Sequence, residues 1–130
     1  MHDQPTAAEL LEVVAEFIRD EAAPQLSGHA AFTARVAANA LDIVRRELEL
    51  SPAADAREHE RLCSLLGETG DLETLNRRLG ERIARGELGL RSPGLVEHLW
   101  SVTLAKLAVD QPGYSTYRRL MAPSPTKEGA

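Results

Sequence analysis

The segment from Leu95 to Val109 constrains the fold more than any other part of the chain. Leu95, Val96, Leu99, Trp100, Val102, Leu104, Leu107 and Val109 put apolar side chains on nearly every side of a helix. Such a helix is normally surrounded by others. The expectation is therefore a bundle with this helix at its centre. Ser92-Pro93 gives it a start signal and Gln111-Pro112-Gly113 a stop. Glu97, His98 and Lys106 interrupt the stretch, which is also too short to span a bilayer comfortably.

The rest of the chain supplies the surrounding helices. Thr6-Ala7-Ala8-Glu9 is a capping box, in which Thr6 and Glu9 reciprocally satisfy free backbone N–H groups. Leu10, Val14, Phe17 and Ile18 follow at helical spacing until Pro24. A second helix is expected from about Ala30 to Leu50, with Phe32, Val36, Ala40, Ile43 and Val44 as its inner stripe. Ser51-Pro52 reads as a stop and a new start together, opening a third helix to Leu66 with Gly67 as its C-terminal cap. Asp71 caps a fourth, whose Leu72, Leu75, Leu79 and Ile83 trace a narrow apolar stripe to Gly86. The apolar helix is the fifth, and Tyr114 to Met121 suits one further short turn. The expected fold is all-α, a five-helix bundle over residues 1–121, followed by a tail at 122–130 of disordered composition.

Composition narrows function more than it specifies it. With 130 residues the chain suits one domain able to bury a core without disulfides or a structural metal. Aromatics make up only 4%, so Leu, Val, Ile and Ala must fill that core. A net charge of −5 argues against general nucleic-acid binding, which needs a basic surface. The single Cys63 and the lack of a basic-then-apolar amino terminus point to a cytoplasmic protein.

Three groups of polar residues sit where polar residues are costly. His59 projects from an apolar helix face and shares one side with Cys63, four positions on. The pair resembles half a zinc motif, but no second cluster supplies the remaining ligands; a hydrogen bond from the imidazole to a backbone carbonyl is the plainer alternative. Lys106 and Asp110 lie four apart on the most apolar helix. A Lys there must snorkel to solvent, pair with Asp110, or serve as a desolvated nucleophile or anion receptor. Arg35, Asn39, Asp42 and Arg46 form one polar stripe along the second helix. Asn39 is placed to bridge to another helix, towards Lys106 or Tyr114, unless the stripe is a solvated flank with an internal Asp42–Arg46 pair.

Charge is uneven along the chain. Glu9, Glu12, Glu16, Asp20 and Glu21 make the first helix acidic, and Arg77, Arg78, Arg82 and Arg85 make the fourth basic. They either face one another, in the bundle or across a dimer, or face solvent. Asn76 beside the fourth helix's apolar stripe points to a helix–helix hydrogen bond. The chain lacks a phosphate-binding Gly-rich loop, a Gly-x-Ser-x-Gly elbow, paired zinc histidines and the Glu-x-x-His pairs of di-iron bundles. No reaction is specified, and no cofactor is expected.

Pro5-Thr6-Ala7-Ala8-Glu9-Leu10-Leu11, Arg35-Val36-Ala37-Ala38-Asn39-Ala40-Leu41, and Thr103 through Pro112 with Tyr114 stand in an order and at a total length that resemble a family of small bacterial all-helical proteins, a domain of unknown function. Genes of that family tend to lie beside an aminoglycoside-phosphotransferase-like kinase and acyl-CoA dehydrogenases. The resemblance implies an accessory role in acyl-CoA or small-alcohol catabolism, with such a kinase or dehydrogenase as partner. It transfers no catalytic residue. It directs attention to the polar members of the shared stretches, Arg35, Asn39, Lys106, Asp110 and Tyr114, as a ligand-binding set. The leading expectation is a non-catalytic accessory protein. The alternatives are a small enzyme or binding bundle that holds an anionic metabolite around Lys106, Arg35 and Asn39, and a homodimer joined through an exposed helical face.

Overall fold

The computed structural model describes residues 4–124; the last part of the expected tail lies outside that range. Among the described residues the chain is all-α, with five α-helices and no strand: α1 (Ala7–Glu16), α2 (Gly28–Leu66), α3 (Leu72–Ala84), α4 (Leu95–Asp110) and α5 (Ser115–Met121). α1 runs on without a break into a π-helical turn, Phe17–Ala22, and a short 3-10 turn, Ala23–Gln25. None of these helices is long and apolar enough to cross a membrane.

The second and third helices expected from sequence are one helix. α2 is 39 residues long and passes through Ser51-Pro52 without stopping, a rod of about 58 Å at 1.5 Å per residue. Pro52 removes one backbone N–H, so the Leu48 carbonyl loses its usual partner. The helix survives this because packed helices hold it on both sides of the proline. Gly67, in the left-handed conformation at φ 66°, ends it as expected. The fifth helix of the structure is instead the short α5.

α2, not the apolar α4, is the axis of the molecule. α1, α3 and α4 each pack on α2, and α4 otherwise touches only α5. α4 buries Leu95, His98 and Val109, but leaves Leu99 and Trp100 about half exposed. Its outer flank has nothing to pack against because α1 occupies the other half of the rod. α4 also begins later than the Ser-Pro signal suggested. Its N-cap is Gly94, at φ 86°, where a Cβ would approach the Leu65 side chain to 3.2 Å.

The core is unevenly filled. At the C-terminal end of α2, Leu62 and Leu66 pack with Leu75 and Leu79 of α3 and Leu95 of α4. At the N-terminal end the buried residues are all alanines: Ala15 and Ala23 on one side, Ala31 and Ala38 on the other. Small side chains let α1 and α2 approach closely but bury little apolar area. The acidic first helix and the basic α3 therefore never meet. They sit on opposite halves of the rod, and Arg78 and Arg82 pair instead with Glu68, at 3.1 and 3.3 Å.

Candidate functional site

The polar stripe of α2 is organised by a residue the sequence reading passed over. Arg19, in the π-helical turn, donates from Nη2 to Asp42 Oδ2 at 2.7 Å and to Asn39 Oδ1 at 3.1 Å. π turns widen the helix and shift its phase, and both Arg19 and the buried Ala23 thereby reach the α2 side. The expected Asp42–Arg46 pair does not form. Asp42 meets Arg19, and Arg45 more distantly at 3.9 Å, because its side chain points across to the first helix rather than along its own.

Arg46 is freed for another task. Its Nε donates to the Val109 carbonyl at 2.7 Å, placing a cation at the C-terminal end of α4, where the helix dipole and unpaired carbonyls favour it. This contact locks the end of α4 and the Gln111-Pro112-Gly113 stop against the middle of α2. Between them lies a groove of about 510 Å³, lined by Asn39, Asp42, Ile43 and Arg46 from α2 and by Asp110 to Tyr114 from the α4–α5 connection. Three of the five expected site residues, Asn39, Asp110 and Tyr114, are thus brought together.

The other two are not. Arg35 lines neither this groove nor its neighbour. Lys106 lies in a second groove, of about 390 Å³, with Glu47, Asp55, Glu58 and Asp110. It is exposed and, among the described residues, makes no ion pair with Asp110 or any other carboxylate. It has snorkelled to solvent. Four carboxylates around one ammonium make that groove unfavourable for an anion.

His59 has the plainer of its two roles. Its Nε2 lies 2.8 Å from the Gly70 carbonyl. A carbonyl only accepts, so Nε2 carries the proton and ties α2 to the loop before α3. Cys63 Sγ lies 3.9 Å from the ring. Among the described residues no three His, Cys, Asp or Glu side chains gather as metal ligands. Asn76 makes the expected helix–helix bond, donating to Glu58 Oε1 at 2.7 Å.

The most buried polar side chain is His98, 1% exposed between α4 and α2. Arg61 Nε donates to its Nδ1 at 3.3 Å, which requires a neutral ring. Burial, and then the neighbouring guanidinium, hold its pKa below the ordinary 6.5, against a smaller opposing pull from Glu58. His98 lines neither groove, and its bond from Arg61 ties α4 to α2.

A different surface stands out on the outer flank of α4. Leu90, Val96, Leu99, Trp100 and Thr103 line a shallow, almost wholly apolar depression of about 320 Å³. Leu90 is 85% exposed and Trp100 54%. The all-round apolar pattern of α4 is legible in the sequence, but there it reads as a sign of burial.

Residues 24–114 match the profile of a family described as Domain of unknown function (DUF6285), a span that holds all of α2, α3 and α4 and both grooves. No curated protein and no solved structure matches the chain.

Proposed function

We propose that this chain, which belongs to the DUF6285 family, is a non-catalytic accessory protein of the bacterial cytoplasm. On this reading it serves a phosphotransferase-like kinase or an acyl-CoA dehydrogenase in acyl-CoA or small-alcohol catabolism. The observation that carries the reading is the exposed Leu90–Leu99–Trp100 surface. An exposed Trp held on a rigid helix and ringed by apolar neighbours, here from α4 and the loop before it, is a common energetic centre of a protein interface.

The test is reconstitution with the purified kinase-like and dehydrogenase proteins of the same host, read by titration calorimetry. Binding to one of them is expected, and Trp100→Ala should weaken it tenfold or more while leaving the helical circular dichroism unchanged. Failure to bind either protein would remove the proposal.

A second reading, a bundle that holds an anionic metabolite, has one observation in its favour. The Arg46 guanidinium faces the same groove as Asn39 and Tyr114. In a thermal-shift screen of phosphorylated and carboxylated metabolites, this reading requires a stabilising hit that Arg46→Met abolishes. Lys106→Ala should leave such a hit intact, because Lys106 belongs to the carboxylate-lined groove.

A further inference from the structure

We infer that the α1–α2 hairpin is a self-association face on which two copies join as a four-helix bundle. α1 packs on α2 through Ala15, and α2 answers with Ala31 and Ala38. At 100° per residue, α1 then turns Leu10, Val14 and Phe17 to one side of the hairpin. Because α2 runs antiparallel, as the Arg19–Asp42 pair requires, its Val44 and Leu48 turn to that same side. Val14 is 46% exposed, Phe17 55% and Leu48 49%. The Arg19–Asn39–Asp42 network and α4 lie on the opposite side, and Glu9, Glu12 and Glu16 project away from it. An apolar surface thus spans both helices; Glu21, exposed and four positions after Phe17, shares this side one turn nearer the hairpin's loop.

Total area shows that the chain has surface to spare for an interface of this kind. A compact monomer of 14.2 kDa exposes about 6,800 Å², whereas this chain exposes 9676 Å². A standard interface removes about 800 Å² from each partner, which is well within the excess that this elongated chain exposes.

Shape argues for a second copy as the occupant. Along the face, Leu10, Val14, Val44 and Leu48 make one end bulky. The other end, towards the start of α2, is lined by the small side chains of Ala30, Thr33 and Ala37. A two-fold axis near Phe17 sets the bulky end of one copy over the small end of the other, in an isologous, closed contact. The Trp100 surface lies on the other half of the rod and stays free, so the two interfaces are separable.

Sedimentation equilibrium of the full chain tests this directly. The expected species at tens of micromolar has twice the 14.2 kDa mass of one chain. Phe17→Glu and Phe17→Lys should each sediment as helical monomers, and an equimolar mixture should recover the dimer, because the two-fold axis sets one residue 17 against the other. Trp100→Ala should remain a dimer even though it fails in the partner titration. A wild-type monomer throughout, or a Phe17→Glu protein that still dimerises, overturns the inference.

Discussion

His98 shows how one buried side chain makes stability depend on pH. The folded protein resists protonating it, because the imidazolium would be desolvated beside Arg61. As pH falls below about 6.5, the unfolded chain takes up the proton first. Stability is therefore fully present above that value and declines as pH falls towards the lower folded pKa. The melting temperature should drop between about pH 7.5 and about pH 5.5, and His98→Gln should flatten that part of the profile. An unchanged slope in the variant would assign the dependence to other groups. The sequence showed His98 only as an interruption of an apolar run, since its burial depends on where α4 lands on α2. Arg19 was more legible than that. It is the one basic residue in an acidic helix, four positions from both Ala15 and Ala23 on the packed side. Asn39, Asp110 and Tyr114, singled out for the stretches they stand in, line one groove. Lys106 takes the solvent-facing one of its expected roles, because a helix that looks central by composition has an exposed flank.

Among the elements, α2 carries the largest difference between expectation and structure. Ser-Pro favours a helix start, but the preference is local and weaker than the packing of helices on either side. Pro52 costs the interior of the rod one hydrogen bond and a steric clash. Pro52→Ala is accordingly expected to stabilise the protein by about 1–3 kcal/mol, measured as a higher urea midpoint with the same slope. A lower midpoint would mean that Pro52 supplies packing that outweighs the lost hydrogen bond. Capping signals behaved better than the Ser-Pro pair. Thr6 and Glu9 form their reciprocal box at 3.2 and 2.7 Å, and Asp71 accepts from the Thr74 N–H at 2.7 Å. Side chains that bond to their own first turn are readable from sequence, because no distant residue is needed to complete them.

For the whole molecule, the uneven core predicts uneven stability. Leucines from three helices fix the C-terminal half of α2, whereas alanines alone are buried against its N-terminal half. Leu62→Ala should cost about 2–5 kcal/mol. Amide exchange should be slowest in α3 and the adjoining part of α2, and faster in α1. Protection in α1 that rises with protein concentration would show self-association supplying what the alanine contact lacks. The all-α class was legible because periodicity is a local property, whereas the count of five agrees only because the short α5 offsets the merger of two expected helices into α2. Which helix forms the axis was not, because it depends on contacts between residues far apart in the chain. The length of α2 has a consequence for avidity. Joined at its N-terminal half, two rods of about 58 Å hold two Trp100 surfaces far apart and in fixed relation. A partner that is itself a symmetric oligomer with matching spacing would be gripped twice. Its second contact would then form at the high effective concentration set by a rigid linker rather than by a flexible one.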